Sequence, residues 1–182
     1  MKVARTIQIK TDDFIVGDQI TIKLKGFGKF TATVQKIEEN KILFLFDEIV
    51  GKHCMNEQNK NEGGFDASDL KKWLNEVLLP AFPKKLKSRI IELTIPTYGE
   101  VFGHNEYYEN FEPDNDEQLP SMKRRGNRVC DYDNDWEWWW LRNAMKKENS
   151  AARFAYVNYG GFTDSSGASN AIGVRPEFWL VK

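Results

Sequence analysis

Near the start of the chain, apolar and polar positions alternate. In QITIKLK, Ile20, Ile22 and Leu24 alternate with Thr21, Lys23 and Lys25, the period of a strand with one buried face. A flexible GFG turn follows, and KFTATVQKI resumes the alternation with Phe30, Ala32 and Val34 on one side. After the polar EENK comes ILFLF, apolar on both faces and therefore a predicted central strand. Together these segments predict an antiparallel β-meander within residues 1–50. The period then changes: Leu70, Trp73, Leu74, Val77 and Leu78 form one helical stripe, with Ser68 as N-cap and Pro80 as the stop. AFPKKLKSRI reads as a second, shorter helical or turn segment, and IIELTIP as an extended run. The strands WEWWWLR, RFAYVNY and GVRPEFWLV complete the pattern.

Two stretches carry no period. From Tyr98 to Arg128 the chain is polar, with acidic side chains at 106, 109, 112, 114, 116 and 117 followed by Lys123, Arg124, Arg125 and Arg128. Opposed charge blocks of this kind usually form solvated loops. GGFTDSSGASNAIG reads as a Gly/Ser/Asn loop, and without a lysine it is no Walker-type phosphate loop. The run DWEWWWLRN sets the sharpest question. As a strand it places Trp136, Trp138, Trp140 and Arg142 on one side and Glu137, Trp139, Leu141 and Asn143 on the other. Neither face suits water, so the run predicts a central strand covered on both sides, with the indole N–H groups finding buried acceptors. Exposure for stacking on a ligand is expected only at the end of the run, at Trp136 or Trp138.

Length and composition change little in this picture. The chain has 182 residues, 41% hydrophobic and 29% charged, which predicts one domain over residues 1–182, the meander being a subregion of it. No apolar run is long enough to span a bilayer, and MKVARTIQIK lacks the apolar core of a secretory signal, so a soluble protein with no membrane partner is expected. A net charge of −1 makes nucleic acid an unexpected partner. Cys54 and Cys130 lack the spacing of a zinc or redox motif and read as thiols of a reducing compartment. These readings place the protein in a cytoplasm or on a phage particle.

SDLKKWLN on the helix, WWLRN in the tryptophan run and GVRPEFWL at the end resemble, in that order, a family of uncharacterised domains from gut bacteria and their phages. That family shows SDLRxWLN, then WWLRS, then GVRPA. The resemblance runs from about Phe14 to Leu180, and this chain departs from it with Asn143 in place of Ser and Glu177 in place of Ala. A more distant likeness links LTIPTYGEVFG and GVRPEFW to the LPTEAEWE and GFRLAR segments of the formylglycine-generating (sulfatase-modifying) fold. It implies an α+β, C-type-lectin-like domain: a mixed sheet, one main helix alongside it, and long loops that display the ligand site. In such a scaffold Arg142, Arg175 and Glu100 are expected to be structural, as the residue pattern already predicts for Trp73, Trp138, Trp139 and Trp140. A buried arginine needs a partner, because an unpaired buried charge costs on the order of 3–5 kcal/mol, so fixed Arg–carboxylate pairs are expected, with Glu100 or Glu137 as the partner.

Site chemistry is sparse. DYDND has the first ligand spacings of an EF-hand, but Trp136 stands where the turn needs Gly and Arg142 where it needs Glu. Glu112 and Asp114 in EPDN, with Asn134 and Asp135 later, resemble the two ligand pairs that hold calcium and sugar hydroxyls in C-type lectins; Asp114 replaces an Asn, and Trp136 follows the second pair instead of preceding it. Calcium is thus the one cofactor weighed, with no other metal and no catalytic residue assigned. Thiol catalysis needs a base, and His53 beside Cys54 is expected to point away from it. The sequence therefore predicts a non-catalytic module that recognises a protein or glycan through loops 102–132 and 160–171, with Glu112, Asp114, Asn134, Asp135 and Trp136 as candidate ligand contacts. The alternatives are an enzyme related to the formylglycine-generating fold, acting through Cys130 or the acidic loop, and a structural part of a phage or host-interaction assembly.

Overall fold

The computed structural model describes residues 14–182, so the reading of MKVARTIQIK lies outside the described residues. The chain is α+β. In chain order its elements are β1 (Gln19–Leu24), β2 (Gly28–Ile37), β3 (Lys41–Phe46), β4 (Gly51–His53), α1 (residues 69–81), α2 (Lys84–Lys87), β5 (Ile90–Thr94), α3 (Tyr98–Phe102), β6 (Cys130–Tyr132), β7 (Asp135–Glu137), β8 (Trp139–Ala144), β9 (Arg153–Val157), β10 (Thr163–Gly167), β11 (Ile172–Val174) and β12 (Glu177–Val181). Two five-stranded sheets form, in the orders β1-β2-β3-β12-β5 and β10-β9-β8-β11-β4, and β6 and β7 make a separate hairpin.

The meander lies where the alternation placed it, and ILFLF is the middle strand of the first sheet. Every residue from Ile42 to Phe46 is fully enclosed. Its two faces feed two cores. Ile42, Phe44 and Phe46 pack with α1 through Leu70, Leu74 and Leu78 and with Trp140 of the second sheet; Leu43 and Leu45 pack with Tyr98, Phe111, Trp139 and Leu141. The strand β8 alternates in the same way, sending Trp140 and Ala144 into the first core and Trp139 and Leu141 into the second. Both indoles are 0% exposed, and their N–H groups donate to the Arg128 carbonyl (Trp139, 2.8 Å) and the His53 carbonyl (Trp140, 2.9 Å).

The helix departs from its predicted stripe at one residue. Ser68 caps it by accepting from the Lys71 N–H at 3.0 Å, but Leu74–Leu78 winds as a wide π turn and the helix passes Pro80 to end at Ala81. In a regular helix the proline ring would crowd the carbonyl four residues back, and the wider turn lies just ahead of it. That turn rotates Val77 out of the stripe, leaving it 45% exposed.

Other differences concern strands and charges. The tryptophan run is not one strand: Asp135–Glu137 pairs with β6, and the sheet strand begins only at Trp139. GGFTDSSGASNAIG is not all loop, since Thr163–Gly167 forms the edge strand β10 against β9. Within the polar stretch, α3 begins at a capping box, in which Thr97 Oγ1 accepts from Glu100 N–H while the Glu100 carboxylate accepts from Thr97 N–H at 2.8 Å. Among the described residues Arg175 forms no ion pair with a carboxylate. Its guanidinium donates to the carbonyls of Phe46 (2.8 Å) and Asn127 (3.0 Å) and lies over the Trp139 ring, so backbone dipoles and an aromatic face satisfy it instead. Glu137 pairs with Lys52, not with an arginine.

Candidate functional site

Exposed aromatic rings gather where two connections meet. Gly161, in the β9–β10 turn, has φ of +73°, and a Cβ there would lie 2.8 Å from the Arg125 carbonyl and 3.3 Å from Val129, so this turn sits directly on the segment leading into β6. Phe162 places its ring 4.8 Å from the Arg125 guanidinium, and Tyr159 lies 5.2 Å from Trp138, which in turn packs tilted against Tyr156 at 4.9 Å. The hairpin tip turns through Asp133 and Asn134, both at positive φ, the backbone that a two-residue hairpin turn requires and that Asn and Asp tolerate. It presents Tyr132 and Trp136. Trp136 is 60% exposed, Tyr159 55% and Phe162 52%, in a chain whose other large aromatics are mostly enclosed. Behind them, burial and the Asp164 carboxylate push the Tyr156 hydroxyl up to about 12, so it stays protonated.

A second polar feature is internal. The Arg142 guanidinium lies 3.4 Å from Glu100 Oε2, 3.4 Å from Glu177 Oε1 and 3.9 Å from Asp116. Burial raises the pKa of Glu100, and raises that of Glu177 further because Glu100 faces it, in both cases against the opposing charge of Arg142. Arg142 itself is held above its usual range: burial works downward, but Glu177, Glu100 and Asp116 together outweigh it. Arg142 and Asp116 border an open cleft of about 320 Å³. Glu100 spends one oxygen on the helix cap, and Glu177 is fully enclosed. The cluster joins β8, α3 and β12.

Asp114, Asp135 and the Glu112 backbone, all from the candidate calcium pairs, have local hydrogen-bond partners. Asp114 is committed to the Gly99 N–H, the Asn143 amide and the Asp116 N–H, and Asp135 to the Trp136 N–H. Glu112 offers its backbone carbonyl to Asn143. Among the described residues no hydrogen bond or ion pair joins Glu112 or Asp114 to Asn134 or Asp135, and no group of three or more His, Cys, Asp or Glu is placed to hold a metal ion. Cys130 is buried, its thiol donating to the Asp47 carbonyl at 3.2 Å and pushed up by burial, a poor nucleophile. His53 does approach Cys54, its Nδ1 standing 3.9 Å from the sulfur, but burial pushes that thiol up as well.

A family model described as a domain of unknown function (DUF6273) matches residues 39–182. The chain belongs to that family. No curated protein and no solved structure matches it. The family region contains both the aromatic end and the Arg142 cluster, and it begins just ahead of β3, leaving β1 and β2 outside. Of the residues that could meet a ligand, the sequence named Trp136 individually, whereas Arg125, Tyr132 and Phe162 fell only within the predicted loops 102–132 and 160–171, and Tyr159 at the end of a predicted strand. Among the described residues no helix is long and apolar enough to cross a membrane.

Proposed function

We propose that this chain is a non-catalytic recognition module that binds a protein or glycan on the aromatic end formed by the β6–β7 hairpin, the β9–β10 turn and Arg125. The observation that carries the reading is the exposure of Trp136, Tyr159 and Phe162 on short, conformationally fixed connections above an enclosed core. Rings held in this way offer contact area at low entropic cost, and aromatic and arginine side chains dominate binding energy where interfaces have been dissected. The lectin-like scaffold reading is supported by the last strand, which pairs with β3 and β5, by a single main helix packed beside the sheets, and by long connections over 102–132.

Binding is tested on glycan arrays and displayed protein libraries, followed by Trp136→Ala and Phe162→Ala variants. The expected result is at least a roughly tenfold loss of affinity in each, with an unchanged melting temperature. A ligand that binds both variants as tightly as the parent would move recognition elsewhere.

A further inference from the structure

Between the β1–β2 turn and the residues that end α1 lies an open trough of about 790 Å³, floored by Leu24, Phe27, Ala81 and Phe82. It is a fixed feature. The Lys25 N–H donates to the Ala81 carbonyl at 2.9 Å, and Phe27 packs edge-on against Trp73 at 5.9 Å. Its rim is basic: Lys23 and Lys25 line it, Lys84, Lys85 and Lys87 crowd α2 directly after Pro83, and Lys29 stands across the strand pair from Lys23. All are exposed, and among the described residues none forms an ion pair. Like charges directly opposite one another in an antiparallel pair are destabilising, as are like charges crowded on one turn of helix, so this rim is unfavourable until an anion meets it. Lysines on β1 also guard a free sheet edge, but that role does not extend to α2.

Elsewhere the same molecule carries the opposite charge around an exposed aromatic ring. The turn Glu106–Asn110 is fixed by Asn105, whose side chain accepts from the N–H groups of Tyr107 (3.0 Å) and Tyr108 (3.2 Å). It presents Tyr107, 38% exposed, between Glu106 and Glu109, with Glu112 exposed just beyond and no cation paired to any of the three glutamates among the described residues. This turn rests on the core that contains Phe111, whereas the trough belongs to the core that contains Phe82. Those cores occupy opposite faces of β3, which separates the turn from the trough of its own molecule.

We propose that the chain self-associates head to tail, one copy seating Tyr107 in the apolar floor of the next copy's trough while Glu106 and Glu109 meet its lysine rim. A heterologous contact of this kind propagates into rings or filaments. Because the charged groups stay at the rim, association is steep in salt. A nucleic acid meets the same lysines and is the competing occupant.

Sedimentation velocity of the full chain tests this at about 20 mM and about 0.5 M salt, the range over which the screening length shrinks severalfold. The parent is expected to grow in mass with concentration at low salt and to return to monomer at high salt. Two variants isolate the surfaces: Lys84→Gln/Lys85→Gln/Lys87→Gln, and Glu106→Gln/Tyr107→Ala/Glu109→Gln. Each alone is expected to associate at least about tenfold more weakly. Mixed, they retain one intact turn and one intact trough, and so form a heterodimer that grows no further. The proposal is overturned if the parent stays monomeric at low salt, if either variant assembles like the parent, if the mixture does not pair, or if duplex DNA or polyphosphate occupies the trough of a protein that remains monomeric.

Discussion

At position 177 a carboxyl group is fully enclosed and faces a second one, Glu100, beside a guanidinium that both must share. One cation does not stabilise two buried carboxylates, so Glu177 holds its proton well above the usual carboxylate range, through burial first and Glu100 second. In the unfolded chain the same group titrates near pH ~4.3. The folded state thus binds this proton the more tightly; the resulting stabilisation is complete below the unfolded pKa and is lost as pH rises toward the folded one. Denaturant unfolding between about pH 5 and about pH 8 should show the parent losing stability as pH rises and a flatter profile in Glu177→Gln. Parallel profiles would place the proton elsewhere. The tryptophans separate on the same scale. Trp140→Ala removes an enclosed ring and its bond to the His53 carbonyl, for an expected cost of about 3–5 kcal/mol, whereas Trp136→Ala should stay within about 0.5 kcal/mol in the same melts.

Among the elements, α3 and the segment after it depend on one amide. Asn143 on β8 accepts from the Tyr98 N–H at 2.6 Å and donates to the Glu112 carbonyl (3.0 Å) and to Asp114 (2.8 Å), fastening the start of the helix and the acidic segment to the central strand. Asn143→Ala leaves these groups unpaired in a buried place and is expected to cost about 2–3 kcal/mol, with hydrogen exchange accelerating at Tyr98 and Gly99 before it does in β3. Uniform acceleration across the chain would show that the amide is no local fastener. Such a residue is hard to read in advance, because its partners lie 29 to 45 positions away in sequence. Elements whose burial is periodic, the meander and α1, were legible for the opposite reason: each states its buried face within one window. The strand β10 states nothing of the kind, since TDSSG has no apolar residue and takes its order from β9. Of the site, Trp136 was visible as the polar-flanked end of an aromatic run, while Phe162 gained meaning only when Gly161 brought its turn against Arg125, and Tyr159 when it met Trp138.

For the whole molecule, the boundary of the family region at residue 39 falls inside a continuous sheet. The strand β3 pairs with β2 on one side and β12 on the other and is enclosed on both faces, and the link is reinforced by side chains: Thr33 donates to the Asp47 carboxylate at 2.7 Å, and the Thr31 N–H to Glu48 at 2.8 Å. Removing β1 and β2 takes Ile22, Leu24, Ala32 and Val34 from the core and leaves β3 as an edge with a row of unpaired N–H and C=O groups. Uncovered apolar edges of this kind pair with other chains. A chain of residues 39–182 is therefore expected to aggregate, or to unfold at markedly lower urea than the parent. Its loss should be relieved by restoring 14–38 and not by adding salt, which separates it from the lysine-dependent association. A truncated chain that stays monomeric and melts with the parent would mean that the meander is an appendage and that β3 finds its cover within the family region alone.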